Sequence, residues 1–203
     1  MVTRRFLLAR TGALGIALAG FALLGRPARA ADPASEFIEG LGNRAISVLA
    51  DKALTQADRD AKFRDLFVNA FDVSAIGQFV LGRYRRSATP EQLDEFNKLY
   101  TDDVVRTYSR RLSQYAGETL KVLGSQVVSD ETVVRSQIVS PKKPQPTNVD
   151  WHLSGAAGSY KIVDVVIENL SMRSAQREDY GSVISSGGID ALLAGLRKKN
   201  AAS

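Results

Sequence analysis

The first 30 residues decide how much of this chain has to fold. Arg4, Arg5 and Arg10 precede a stretch from Thr11 to Gly25 that carries no charge and is interrupted by Gly12, Gly15 and Gly20. Pro27-Ala28-Arg29-Ala30 follows, with small residues at the two positions that a signal peptidase pocket requires. A membrane anchor needs about 20 consecutive apolar residues, and this stretch is shorter and broken by glycine. The pattern predicts a secretory signal peptide over residues 1–30, removed after Ala30, and a single domain over 31–203. Thr3-Arg4-Arg5-Phe6-Leu7 hints at twin-arginine export but lacks the residue that usually precedes Phe-Leu, so the export route stays open.

Removing that segment changes the electrostatics. The chain has 27 Lys and Arg against 22 Asp and Glu. Arg4, Arg5, Arg10, Arg26 and Arg29 lie in the first 30 residues and no acid does, so the remainder carries 22 charges of each sign. The basic balance belongs to the export signal, and the case for a nucleic-acid partner goes with it. The chain has no Cys. That excludes disulfides, thiol nucleophiles, thiolate metal sites and lipid attachment at a cysteine, and leaves an exported domain to be held by packing alone.

The first half of the domain has helical periodicity. Phe37, Leu41, Ala45, Val48 and Leu49 recur at helical spacing over 34–52. Thr55 then caps a segment carrying Phe63, Leu66, Phe67, Ala70 and Phe71. Asp72 caps a short helix with Ile76, Phe79 and Val80 that stops near Gly82. Thr89-Pro90-Glu91-Gln92 is a capping box with proline at the first helical position. From it an apolar stripe runs through Leu93, Phe96, Tyr100, Val104, Tyr108, Leu112 and Tyr115 to Gly117. The second half changes period. Residues 119–128, the run through Val133, Val134, Ile138 and Val139, the alternation at Val149, Trp151 and Leu153, and Tyr160–Ile167 predict about four antiparallel strands. Two helices, near 174–185 and 189–199, close the chain. The class is α+β, a helical layer over one face of an antiparallel sheet.

Catalytic constellations are scarce. The single histidine, His152, falls mid-strand on the polar face, where solvation is its ordinary role. No Gly-x-Ser-x-Gly elbow occurs, and one His without Cys cannot build an ordinary zinc site. Gly187-Gly188 lacks phosphate-loop spacing. Asp164 and Glu168, on one face of an extended strand, would stand roughly 13 Å apart, too far for a retaining carboxylate pair. The aromatics are concentrated: all Phe residues after position 30 fall between 37 and 96, and Tyr84, Tyr100, Tyr108 and Tyr115 follow them. Such a set builds either a bulky helical core or the wall of an apolar pocket, and composition does not separate the two.

The segment 71–96, FDVSAIGQFVLGRYRRSATPEQLDEF, resembles the MlaC-type "toluene tolerance" family. The matching pieces are Phe71-Asp72, Phe79-Val80-Leu81-Gly82-Arg83-Tyr84 and Ala88-Thr89-Pro90-Glu91-Gln92. A second stretch, 161–199, is similar in its Asp-Val-Val-Ile-Glu, Ser171, Arg177 and Gly-Gly-Ile-Asp-x-Leu-Leu-x-x-Leu ending. The likeness runs from about 35 to 199. The chain departs from the pattern at Gln176, where the family often has an aromatic, and at Asn169, where it often has Gly. The first departure bears on the pocket mouth or the preferred lipid.

The resemblance implies a non-catalytic periplasmic phospholipid carrier that moves lipid between the outer and inner membranes and maintains outer-membrane lipid asymmetry. Its cargo is phospholipid and it needs no cofactor. Its partners are an inner-membrane ABC transporter complex and an outer-membrane lipid donor or acceptor complex. The expected fold encloses an apolar cavity, and the expected tail-facing residues are Phe71, Ile76, Phe79, Val80, Tyr84, Tyr100, Val104 and Tyr108 from helices and Trp151, Leu153, Val163, Val165 and Ile167 from strands. Each of these also reads as ordinary core, and Tyr160, Ile162 and Val166 give the opposite strand face some apolar character. Arg83, Arg85 and Arg86 form either a solvated turn or a place for a phosphate head or a partner. A hopanoid-related lipid transporter, or a small α+β enzyme or interaction module with an apolar pocket, is the alternative.

Overall fold

The computed structural model of the chain describes residues 32–112 and 117–202. The signal segment with its Ala30 junction, and Tyr115 of the aromatic stripe, lie outside those residues. Each helix begins where a short polar side chain can satisfy free amide donors. Asp32 opens α1 (Pro33–Ala50), accepting the Ser35 amide at 3.1 Å, with Pro33 in the first turn. Thr55 opens α2 (Gln56–Ala70) and Asp72 opens α3 (Val73–Leu81) in the same way. A 3₁₀ turn over Gly82–Arg86 follows α3. The capping box then starts α4 (Pro90–Leu112): the Gln92 amide donates to Thr89 Oγ1 at 3.2 Å, and the Thr89 amide donates to Gln92 Oε1 at 3.0 Å.

The sheet is a simple antiparallel meander of five strands in the order β1 (Thr119–Val128), β2 (Glu131–Val139), β3 (Thr147–Ser154), β4 (Lys161–Ile167) and β5 (Leu170–Ser171). The two-residue β5 is the addition to the four strands expected. It exists because Glu168 and Asn169 both take positive φ, 47° and 66°, and turn the chain back tightly. Asn tolerates that conformation nearly as Gly does, which accounts for Asn169 at this place. Glu168 is therefore a turn residue that accepts the Asn148 amide, and it does not share a strand face with Asp164.

Ser171 caps α5 (Met172–Ala201), within which Gly188 alone has non-helical dihedrals, φ 75° and ψ 176°. The two closing helices thus meet at one glycine joint.

The helices form two layers of contact. Residues of α2, α3, α4 and α5 make one core around Phe96, Leu81, Val80, Val105 and Leu193. Residues of α1 and the end of α2 make a second core on the sheet, around Ile38, Ala70, Val134, Leu153 and Ile162. The expected helical layer over an antiparallel sheet is present, and within it α2, α3, α4 and α5 also share a core of their own. Phe71, at the α2–α3 joint, packs against both cores, and the Asp72 amide donates to the Ile162 carbonyl at 3.0 Å, pinning the joint to β4. Asp32 ties α1 to β1 by accepting both the amide and the hydroxyl of Ser125. Gly42 lets α1 come close, since a Cβ there would stand 2.5 Å from Leu120 Cδ2. Among the described residues no helix is long and apolar enough to cross a membrane.

Candidate lipid-binding cavity

Between the two cores lies an apolar cavity of about 310 Å³. Its floor is the sheet and its walls are helices. Phe71, Ile76, Tyr100, Val104, Tyr108, Trp151, Val163, Val165 and Ile167, all expected to face one another, line it together. The other four expected residues stand elsewhere. Phe79 lies outside, between two arginines. Val80, one turn beyond Ile76, is buried in the helical core. Tyr84 sits in the 3₁₀ turn, where its hydroxyl accepts from Arg83. Leu153 belongs to the core under α1.

A register irregularity explains the strand faces. His152 pairs with Asp164 but Leu153 pairs with Ile162, so Val163 is an extra residue on β4. Strict alternation would turn Ile162 away from Val165; the bulge resets it, and Ile162 packs beside Leu153 and Val134 under the helices. The cavity also takes residues that the family motif did not indicate: Leu41, Gly42 and Ala45 from α1, Phe63, Leu66 and Phe67 from α2, Ile138 and Val149 from the sheet, and Met172, Arg173 and Gln176 from α5. The helical periodicity already carried most of the first six. Nothing in the pattern distinguished Arg173 from a surface arginine.

Several polar groups that reach the cavity are satisfied by neighbours. Trp151 Nε1 donates to Ser136 Oγ at 2.9 Å, and Ser136 Oγ donates to the Val149 carbonyl at 2.9 Å. The indole can then present apolar surface to the cavity at no hydrogen-bond cost. Tyr100 donates to Gln176 Oε1 at 2.7 Å. Burial, and then the nearby Tyr180 and Tyr108, push the Tyr100 phenol far above its ordinary value against the effect of that hydrogen bond, so it is a neutral donor.

At the α5 end a charged network closes on itself. Asp164, whose side chain is 3% exposed, accepts from the Ser171 hydroxyl at 2.5 Å and from the Val165 and Arg173 amides, and its Oδ2 is 3.4 Å from Arg173 Nε. Arg173 also reaches Glu131 at 3.3 Å, and Glu131 Oε2 lies 2.7 Å from His152 Nδ1. Burial raises the Glu131 carboxyl, but the His152 hydrogen bond and the Arg173 charge outweigh it and hold the group below its usual range. His152 is therefore hydrogen-bonded to Glu131 at the edge of this network. Among the described residues no group of three His, Asp or Glu is placed to hold a metal ion. With its charges mutually paired and its walls apolar, the arrangement is suited to sequester a hydrophobic molecule.

Comparison with known proteins points the same way. The family model described as "MlaC protein" matches residues 39–198. A curated relative from Haemophilus influenzae, the intermembrane phospholipid transport system binding protein MlaC, is 22% identical over 126 residues, covering 60% of this chain. The match spans 59% of that relative's length. A solved structure of a phospholipid-binding protein from Ralstonia solanacearum, in complex with a phospholipid, superposes with a TM-score of 0.72 at 23% identity. It covers 84% of this chain and 98% of that one, and the likeness is one of fold.

Proposed function

Because this chain belongs to the MlaC protein family, we propose that it is a non-catalytic phospholipid carrier of the bacterial periplasm. The observation that carries this is the apolar cavity left between two otherwise close-packed cores. A globular protein has no packing reason to keep such a space open. Each buried methylene is worth about 0.8 kcal/mol, so the two tails of an ordinary phospholipid represent on the order of 20 kcal/mol out of water. Free diffusion through an aqueous compartment is then negligible, and a carrier must hide the tails nearly as well as a bilayer does. The described names of the Haemophilus and Ralstonia relatives support phospholipid as the cargo.

In this role the chain is exported, loses residues 1–30, and exchanges lipid with an inner-membrane ABC transporter complex and an outer-membrane complex, maintaining lipid asymmetry. Matching the bilayer in energy makes transfer close to neutral, and the partner machines set direction.

The test is mass spectrometry of protein purified from a periplasmic extract. The expected result is a polypeptide beginning at Ala31 with phospholipid released on denaturation. A lipid-free protein, or one carrying only hopanoids, would overturn the phospholipid assignment.

A further inference from the structure

A second concavity lies between the end of α3 and the first half of α5. Arg83, Tyr84, Arg177, Glu178 and Ser182 border this open groove of about 590 Å³. It shares no lining residue with the apolar cavity. Phe79 stands between the two spaces, its ring centroid 4.6 Å from the guanidinium carbon of Arg173, which lines the cavity, and 5.2 Å from that of Arg177, which borders the groove. One rim of the groove is the 3₁₀ turn, which exposes Arg83, Arg85 and Arg86 together.

Among the described residues none of these three arginines, nor Arg177, forms an ion pair. Arg83 lies over the Tyr84 ring and donates to its hydroxyl at 3.0 Å, and Arg85 donates to Gln78 Oε1 at 3.3 Å. Elsewhere on α5 the cations are matched: Arg173 by Glu131 and Asp164, Arg197 by Glu95, Lys199 by Asp103. The charges of residues 31–203 balance, so the four arginines are a local excess and not the expression of a basic chain. Arg177 is also held in place by the backbone. Gly82 has φ 53° and ψ −125°, a conformation that favours glycine, and a Cβ there would stand 3.1 Å from Arg177 Nε. The end of α3 thus leaves room for a guanidinium against Phe79. An arginine stacked on an aromatic ring keeps its N–H edge for an acceptor and loses little freedom when one arrives.

We propose that this groove is the docking site for an acidic segment of a partner protein, whose carboxylates are received by Arg177 and Arg83. Charge sets the sign of the partner. Two guanidinium groups border the groove against one carboxylate, Glu178, and Arg85 and Arg86 add to the positive field from the rim. Geometry sets its class. The guanidinium fork matches the two oxygens of a carboxylate, and the arginines border a concavity, which the side chains of an extended segment can enter and a flat bilayer surface cannot. Tyr84 and Phe79 add ring surface beside the cations, and Ser182 and Ser185 supply hydroxyls for the segment's backbone. Because the groove and the cavity have no lining residue in common, docking there leaves the cavity's contents in place. The docking site is independent of the carrier reading.

The probe is a fluorescein-labelled peptide of alternating Glu and Ser, with its Gln and Ser counterpart as control, titrated with the protein and followed by fluorescence anisotropy. The expected result is saturable binding of the acidic peptide, about tenfold tighter than the control and weakened by added salt. The double variant Arg83→Gln, Arg177→Gln should keep its circular dichroism and bind about tenfold more weakly, the loss of one to two hydrogen bonds to a charged group. Should that variant misfold, Arg83→Gln alone, in the exposed turn, carries the same test with a smaller loss. The variant Arg44→Gln, Lys62→Gln removes equal charge from the groove between α1 and α2 and should leave binding unchanged. Equal affinity for the two peptides, undiminished binding by the groove variants, or an equal loss in the α1–α2 variant overturns the docking site. So does binding to phosphatidylglycerol vesicles that the double variant loses while its peptide affinity is intact, since the arginines then face a membrane.

Discussion

Val163 and Val165 line the cavity from β4, but they are not equally packed: Val163 is 6% exposed, while Val165 is half-buried. The two positions distinguish a cavity from a core. In a sealed core, Val165→Glu buries an unpaired carboxylate at a cost of several kcal/mol, enough to threaten a domain with a total stability of about 5–15 kcal/mol. In a cavity that empties, water reaches the carboxylate and limits that cost. The expected outcome for Val165→Glu is near-native circular dichroism with co-purifying lipid strongly reduced. Val163→Glu should follow it with a larger loss of stability, being the more enclosed. Unfolding of both variants would make this face packed core, and folded variants with a full lipid load would put the tails elsewhere. Trp151 shows the same economy at a single residue. Its donor is satisfied inside the sheet by Ser136, so its ring surface is free to meet an apolar ligand.

At the scale of elements, α4 supports both the helical core and the cavity. Phe96, Val105, Tyr100 and Val104 come from it, and the last two also line the cavity. Its start depends on the reciprocal bonds of Thr89 and Gln92. Thr89→Ala removes the acceptor of the Gln92 amide and should cost about 1 kcal/mol. The measurement is denaturant unfolding: the midpoint falls while the m-value is unchanged, because the folded structure is the same. An unaltered midpoint would say that water replaces the cap without loss. In α5 the Gly188 joint lets the N-terminal half run beside the cavity while the C-terminal half packs Leu192, Leu193 and Leu196 into the helical core. Arg197 then meets Glu95 of α4 on an exposed surface, a contact worth little by itself, and Lys199 meets the buried Asp103.

In the molecule as a whole, polar stitches tie helices to the sheet, α1 through Asp32 and α5 through Arg173 and Glu131, and these make stability depend on acid. Burial raises both Glu131 and Asp32. The hydrogen bond from His152 and the charge of Arg173 more than reverse this for Glu131, and donors from Ser35 and Ser125 do so for Asp32. Each folded-state pKa is therefore depressed below its ordinary value of 4.5 or 3.8. A depressed carboxylate contributes stability that is fully present above the unfolded pKa and lost as pH falls through the folded one. Unfolding free energy should fall as pH drops below the ordinary carboxylate range. Glu131→Gln should flatten that acid limb while lowering stability at neutral pH. A variant with the same acid slope as wild type would show that the network around Glu131 is not the titrating element.

Local physics settled much of this protein in one dimension. Caps at Thr55, Asp72 and Thr89 are short-range contacts between residues three apart, so their helices were legible directly, as was the change to strand periodicity after Gly117. The likeness of residues 71–96 and 161–199 to a known family pointed correctly to that family. Three matters required the tertiary structure. Hydrophobic periodicity shows which face is apolar but not what meets it, so Val80 and Leu153 could not be told from cavity residues until two separate cores formed. The extra residue Val163 inverts the facing of everything before it on β4, and a bulge exists only in relation to its partner strand. Arg173 looks like an ordinary surface charge in sequence, and Arg177 stands out there only through the family likeness. Only the folded chain brings β2, β4 and α3 to them, giving one arginine two carboxylates and leaving the other against Phe79, because charge pairing is decided by distances between segments that the chain itself does not set.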